Sequence, residues 1–344
     1  MKAVVYSTKK FEKEFLTRAN NKRHDLFFMT NRLSESTVDY AKGKDAVILF
    51  SGDVCNEKVI EKLAEYKIKY INIRSSGYDN IDLKAAEKHG IHVANVTQFS
   101  PFAIAEHTIM LMLSLSRKLL PSYKQIHDYN FNVDKLLGSD LHTKTVGIIG
   151  LGNVGSSVAQ VLNAFGCQIL AYDTVMKKNL ARKFHFNYVD FKTLLKESDI
   201  ISLHVPLNEA THHLINEEAI SEMKDGVMLI NTARGGVVKT TAAIEGILSG
   251  KIGSMGLDVY ENESGLFFED HSNDTRRDEL MVKLLGLKNV IVTGHQAFLT
   301  EKSLSILAEY TIQNLDLWQN AQESTNELIH YTMKSKPKKD LITL

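Results

Sequence analysis

Three polar residues each stand just past a strand-like apolar run. Arg234 follows Leu229-Ile230-Asn231-Thr232-Ala233, Glu263 follows Leu257-Asp258-Val259-Tyr260-Glu261-Asn262, and His295 follows Val290-Ile291-Val292-Thr293-Gly294. A guanidinium grips a carboxylate through two parallel hydrogen bonds. An imidazole exchanges a proton near neutral pH. A carboxylate on the far side of that ring fixes its tautomer and favours its charged form. The set therefore suits a 2-oxo acid that takes a hydride at carbon and a proton at oxygen. Composition does not single out His295, because the chain has 13 histidines. His142, His212 and His271 read as surface or packing groups.

A hydride needs a donor, and residues 145–173 are organised to hold one. Thr-Val-Gly-Ile-Ile is a strand-length apolar run, and Gly150, Gly152 and Gly155 then form G-x-G-x-x-G. Val154, Val158, Val161, Leu162 and Phe165 follow at helical spacing, Gly166 ends the segment, and a second apolar run closes on Asp173. In such a strand–turn–helix–strand unit the first glycine permits the tight turn. The second lets backbone approach a pyrophosphate, and the third allows close helix–strand packing. The helix N-terminus adds free N–H groups and a positive dipole end. Asp173, about twenty residues on, is placed to accept hydrogen bonds from the adenosine ribose. A carboxylate there repels a 2′-phosphate, so NAD is expected rather than NADP; Lys177 and Lys178 lie close by.

The elements that position these groups follow from alternation. In residues 1–95, strand candidates at 3–6, 26–29, 46–50, 70–73 and 92–94 are separated by helix-like pieces such as 56–66 and 83–89, which predicts a parallel sheet flanked by helices. Residues 74–79 follow the fourth strand, either as a plain surface turn or as a loop whose N–H groups meet a small anion. Pro101 opens a helix predicted over 102–119; its middle, 109–113, is apolar all round and predicts burial. Glu106 and His107 are candidate functional groups near its start, and Thr108 is a candidate contact to a cofactor phosphate. A second parallel sheet is expected from strands at 200–205, 227–231, 255–259 and 290–293, with helices at 217–224 and 241–248. A last helix over 301–318 is expected to return the chain to the first domain. The tail after Asn326 reads as poorly structured.

Whole-chain properties exclude several classes. At 344 residues two domains are expected. Lys+Arg and Asp+Glu number 41 each, so no basic surface invites nucleic acid. Cys55 and Cys167 lie far apart without metal-ligand spacing, so no metal is expected. The N-terminus leads almost directly into a strand, and no apolar run reaches membrane-spanning length. The expected location is cytoplasmic.

Several stretches together carry a resemblance. They are Ser76-Gly77-Tyr78-Asp79-Asn80-Ile81-Asp82-Leu83, Ala105-Glu106-His107-Thr108, the glycine-rich turn, Asn231-Thr232-Ala233-Arg234-Gly235, residues 257–263, and Gly294-His295-Gln296-Ala297-Phe298-Leu299-Thr300. By them the chain resembles the D-isomer-specific 2-hydroxyacid dehydrogenases over nearly its full length, and within these the fermentative D-lactate branch. The resemblance implies two doubly wound parallel-sheet α/β domains with a cleft between them. Residues 1–100 and 299–344 would form a flavodoxin-like substrate domain, and residues 101–298 a Rossmann NAD-binding domain. It implies catalytic roles for Arg234, Glu263 and His295. Cofactor contacts would come from Asn153, Val154, Gly155 and Asp173, from Val205, Pro206 and Thr211, and from Thr232, Ala233 and Asp258, the last holding the nicotinamide carboxamide. Backbone amides near Ser76 and Gly77 would assist Arg234, with Tyr78, Phe99 and Phe298 around the substrate methyl group. Pyruvate and D-lactate are the implied substrate pair, and a homodimer or homotetramer the implied assembly.

The chain has Gly294 and Ser264 where many relatives have Pro, a longer stretch over 266–274, and Phe99 where the lactate branch often has Tyr. Two alternatives stay open: larger 2-oxo acids as substrates, or an NADH-sensing, corepressor-like binding protein.

Overall fold

The computed structural model describes residues 1–97 and 100–329. The chain divides into two compact units, Met1–Phe99 with Leu304–Leu344, and Ser100–Ser303.

The first unit begins β1 (Lys2–Val5), α1 (Lys10–Asn20), β2 (Asp25–Phe28), β3 (Ala46–Leu49), α2 (Glu57–Glu65), β4 (Tyr70–Ile73), α3 (Leu83–Lys88) and β5 (His92–Ala94). Its sheet runs β2-β1-β3-β4-β5 with every pairing parallel, the flavodoxin-like strand order. Central β3, Ala-Val-Ile-Leu, is buried along its whole length, as a parallel strand covered on both faces must be. Arg74, just after β4, is buried, and its Nη2 and Nε donate to Glu12 at 2.7 and 3.0 Å. It is an internal strut between α1 and the sheet.

The second unit contains α4 (Pro101–Ser116), α5 (Leu119–His127), β6 (Thr145–Ile149), α6 (Asn153–Ala164), β7 (Gln168–Tyr172), α7 (Lys178–Lys183), β8 (Asn187–Tyr188), α8 (Phe191–Glu197), β9 (Ile200–Leu203), α9 (Glu217–Glu222), β10 (Val227–Asn231), α10 (Thr240–Leu248), β11 (Ile252–Leu257), α11 (Glu279–Gly286) and β12 (Val290–Val292). The helix expected over 102–119 is two helices, because Lys118 takes a left-handed φ of 52°. Pro101 does occupy the first turn of α4. The segment 109–113 is not buried all round: Leu111 and Met112 are enclosed, but Met110 is 42% exposed. Gly256 on β11 explains how closely α4 lies on the sheet, since a Cβ there would stand 3.2 Å from Leu111 Cβ.

The second sheet runs β12-β11-β10-β9-β6-β7-β8, all parallel. Counted from β6, this is the doubly wound dinucleotide-binding order with one added strand. The order reverses between β6 and β9, the switch point where such sheets bind ligands. Apolar clusters line both faces, one with Val158, Leu162 and Ile148, the other with Leu203, Leu229 and Ile244.

The last helix, α12 (Glu301–Gln319), returns to the first unit. Ala308, Ile312, Leu315 and Trp318 pack with Ala3, Val5, Ala46 and Ile48. The expectation of a loose tail after Asn326 fails over 327–329. Glu327 is buried and accepts from Trp318 Nε1 at 3.0 Å, and Leu328 N donates to Val93 O at 2.8 Å. A short polar stretch hides this docking from periodicity, because its anchor is one carboxylate. Among the described residues, no helix is long and apolar enough to cross a membrane.

Candidate active site

The glycine-rich turn leaves β6 at the switch point. Gly150 has φ +95°, and a Cβ on it would stand 2.6 Å from His204 O, so only glycine fits. A Cβ on Gly155 would stand 1.9 Å from Gly150 O. At Gly152 the outcome is opposite: a Cβ would meet nothing within 4 Å. Gly152 caps α6 without a side chain, and the first helical return bond is Ser156 N to Gly152 O. The N–H groups of Asn153, Val154 and Gly155 thus belong to the unsatisfied first turn. Open space over these donors fits a pyrophosphate.

Asp173, following β7, holds this turn. Its Oδ2 accepts Leu151 N–H at 2.6 Å and its Oδ1 accepts Val175 N–H at 3.0 Å. Lys177 Nζ donates to Leu151 O at 3.0 Å. Beyond β9 the segment with Val205, Pro206 and Thr211 closes on itself, with Thr211 Oγ1 donating to Pro206 O at 2.6 Å. Thr108 is fully buried: its hydroxyl donates to Ile104 O and lies 2.9 Å from Thr232 Oγ1. That hydroxyl is engaged inside the chain.

Arg234 ends a turn built by Asn231, the last residue of β10. The fully buried Asn231 side chain accepts Ala233 N–H at 3.1 Å and donates to Arg234 O at 2.9 Å. Arg234 Nη1 donates to Ala233 O at 2.8 Å. The next residue, Gly235, has no room for a Cβ, which would stand 2.0 Å from the carbonyl carbon of Tyr260. This contact lays the Arg234 segment against the one leading to Glu263.

Glu263 and His295 meet directly, Oε1 to Nδ1, at 2.8 Å. An ionised carboxylate only accepts, so Nδ1 carries the hydrogen and Nε2 is the nitrogen left to exchange a proton. Glu263 Oε2 is held by Tyr260 N–H at 3.0 Å. Phe268 and Phe298 flank the imidazole, with centroid distances of 5.6 and 6.4 Å.

His295 has φ +53°, a left-handed conformation uncommon outside glycine. Asp258, buried at the end of β11, supports it. Its carbonyl accepts His295 N–H at 2.7 Å, while its carboxylate accepts Gln296 N–H at 2.9 Å and Ala297 N–H at 2.8 Å. Burial works to raise the Asp258 pKa, but hydrogen bonds from His107, Thr293 and these amides outweigh it and hold it low. Among the described residues Oδ2 takes only the Ala297 amide, which leaves it acceptor capacity.

In the first unit, the loop after β4 is pinned by side chains. Asn95 Nδ2 donates to Ser76 O and Ser75 Oγ to Gly77 O. Ser76 and Tyr78 are exposed. Phe99 lies outside the described residues. The sequence reading missed Asn231, Thr293 and Phe268 as site-forming residues. Asn231 and Thr293 read as ordinary strand ends, and Phe268 sits in the long irregular stretch over 266–274.

Comparison with known proteins points to one family. The profile of the D-isomer specific 2-hydroxyacid dehydrogenase NAD binding domain matches residues 109–297. The D-lactate dehydrogenase of Escherichia coli (strain K12) is 42% identical over 330 residues, covering 96% of this chain and 100% of that protein. A D-lactate dehydrogenase of Curvularia clavata is 43% identical over 334 residues, covering 96% and 95%. A D-lactate dehydrogenase from Aquifex aeolicus, solved with NAD and lactic acid, superposes with TM-score 0.88 at 36% identity over 96% of this chain and 100% of that one. On the parallel sheets, the glycine-rich turn and these matches, the chain belongs to the D-isomer-specific 2-hydroxyacid dehydrogenase family of NAD-dependent oxidoreductases.

Proposed function

We propose that the chain is a D-lactate dehydrogenase, interconverting pyruvate and D-lactate. The observation that carries the reading is the Glu263–His295 hydrogen bond on the strand-end loops of an NAD-binding sheet. Bound NADH supplies the hydride. Arg234 binds the substrate carboxylate. Glu263 holds Nδ1–H, so His295 Nε2 gives its proton to the carbonyl oxygen as charge develops there, and takes it back in the reverse direction. Asp258, whose Oδ2 takes the Ala297 amide, would hold the nicotinamide carboxamide. The two phenylalanines against the imidazole, Phe268 and Phe298, favour a small substituent on the 2-oxo acid. Residues 101–298 bind NAD, and residues 1–100 with 299–344 supply the substrate side.

Loss of NADH absorbance on adding pyruvate, with the product identified as D-lactate, is the direct assay. His295→Ala should lose most turnover and keep NADH affinity. Near-normal pyruvate reduction by that variant would remove His295 from the chemistry. Higher kcat/KM for 2-oxo-4-methylpentanoate than for pyruvate would move the substrate to larger acids.

The proposed assembly is a homodimer, or a tetramer, joined through the NAD-binding unit. No residue of α5 is buried. Leu119, Leu120, Tyr123, Ile126, Tyr129 and Phe131 stand exposed together along 119–131, an apolar surface of the kind a second copy covers. Sedimentation should give at least twice the monomer mass; a monomer would refute this assembly. The buried free thiols of Cys55 and Cys167 suit the reducing cytoplasm we propose as its location.

A further inference from the structure

We infer that His107 is a positioning residue for His295, acting through the Asp258 carboxylate. The inference rests on the proton-transfer role proposed for His295. His107 lies on α4, remote in sequence from the strand-end loops, yet its side chain is only 10% exposed and reaches them. Its Nε2 stands 3.0 Å from Thr293 Oγ1 and 3.3 Å from Asp258 Oδ1.

The hydrogen positions follow from counting donors. Thr293 Oγ1 has one proton and lies 2.5 Å from Asp258 Oδ1, so that proton goes to the carboxylate. The threonine oxygen can then only accept from the imidazole, and the carboxylate can only accept as well. His107 Nε2 therefore carries hydrogen and shares it between the two oxygens. The imidazole is the outermost donor of a chain that runs His107 to Thr293 and Asp258, and from Asp258 to residues 295–297.

The far end of that chain is what the reaction needs. His295 is held at φ +53°, and its own N–H together with those of Gln296 and Ala297 all bond to Asp258. One aspartate thus fixes three successive peptides of a strained turn. Its carboxylate is shielded from solvent, so a withdrawn donor has no water to replace it. With His107 absent, Asp258 shifts toward its remaining donors and the turn relaxes, which misplaces Nε2 of His295. Misplacement by a fraction of an ångström costs rate more than it costs binding.

The test uses the full-length protein with NADH and pyruvate. His107→Phe keeps an apolar ring of similar size and removes the donor. Its kcat should fall about tenfold to a hundredfold, the order that misplacing a reacting group by up to an ångström costs. KM for pyruvate should change by less than about threefold, and Kd for NADH by less than kcat, since Asp258 Oδ2 keeps its Ala297 partner. His107→Gln places an amide N–H where Nε2 was and should recover most of kcat. Thr293→Val should lower kcat, and its combination with His107→Phe should cost less than the product of the two, since both act on one carboxylate. A His107→Phe enzyme with kcat within threefold of the parent overturns the inference. So does His107→Gln as impaired as His107→Phe, or kcat and NADH affinity falling together with melting temperature, which marks ordinary packing. Should His107→Phe not fold, His107→Gln and Thr293→Val carry the test: near-parental kcat in the former with a reduced kcat in the latter supports it, and any other pair refutes it. Failure of the underlying reading is recognised separately, by a His295→Ala enzyme that still turns over.

Discussion

Two substitutions of the same kind, three residues apart, should separate fold from cofactor binding. Gly155→Ala puts a methyl 1.9 Å from a backbone oxygen, Gly150 O, which cannot swing away as a side chain can. Overpacking costs typically about 1–3 kcal/mol, and a backbone clash this short belongs at the upper end, about 3 kcal/mol. Alanine inside a helix returns about 1 kcal/mol over glycine, leaving a net loss of about 2 kcal/mol. For a unit of this size that lowers the melting temperature by about 4–8 °C. The relaxed turn should also weaken NADH binding, because Gly150 and the first turn of α6 move together.

Gly152→Ala meets no protein atom within 4 Å, and its φ of −69° is ordinary for an L-residue. Its melting temperature should stay within about 2 °C of the parent. The methyl nonetheless occupies the space through which backbone would approach the pyrophosphate, so NADH affinity should fall by about tenfold or more. Thermal unfolding and NADH fluorescence titration read both variants. Unchanged NADH affinity in Gly152→Ala would show that the pyrophosphate does not cross this glycine. An unchanged melting temperature in Gly155→Ala would refute the packing account of the third glycine.

Two further outcomes concern the partly buried His204 and the buried Glu327. Burial pushes the His204 imidazole down to about 3, while an unfolded histidine titrates near 6.5. Between these values the unfolded chain binds a proton that the folded chain refuses, so this residue's contribution to stability is lost as pH falls from about 6.5. Stability of the parent should therefore fall faster than that of His204→Gln, by about 2 kcal/mol between pH 6.5 and 5; parallel urea-midpoint profiles would refute this. Glu327→Ala strips the partner from Trp318 Nε1, Ser324 N–H and His92 Nδ1. It should destabilise the first unit by about 1–3 kcal/mol. An unchanged melting temperature would mean that residues 324–329 contribute nothing to holding α12.

What the sequence made legible was whatever leaves a periodic or chemical trace. Apolar runs such as Val227–Asn231 and Tyr70–Ile73 coincide with their strands to the residue. The glycines of the turn were assigned separate reasons that the Cβ geometry bears out for Gly150 and Gly155. Strand ends slipped by a residue elsewhere, as at β1 and β2, because the flanking Lys2 and Asp25 pair in the ladder while reading as polar. The break at Lys118 was invisible, since a lysine at positive φ has no sequence signature. The docking of 327–329 was missed because one buried carboxylate, not a hydrophobic pattern, secures it. In the site, the expectation of a carboxylate behind the imidazole came from residue type, and Glu263 Oε1 lies 2.8 Å from His295 Nδ1. The supports of that pair were not legible: Asn231 and Thr293 look like the ends of strands, and only the fold brings His107 to Asp258.

These supports share a design that bears on how the proposed site would work. Asp173 holds the Leu151 amide, Asn231 holds both ends of the turn to Arg234, Asp258 holds residues 295–297, and Glu263 holds the imidazole. Asp173, Asn231 and Asp258 sit at or just past the carboxyl end of a strand, Glu263 lies six residues beyond β11, and all four bond to a loop. A loop on a parallel sheet edge is otherwise free to sample many conformations, and ordering it during the reaction would add to the barrier. Here that entropy is lost on folding, so in the proposed reaction the dipoles and donors would already be aimed as charge develops on the substrate oxygen. The consequence is asymmetric. For Glu263, which bonds only the imidazole and the Tyr260 amide of its own loop, the cost of loss should fall on turnover more heavily than on ground-state binding.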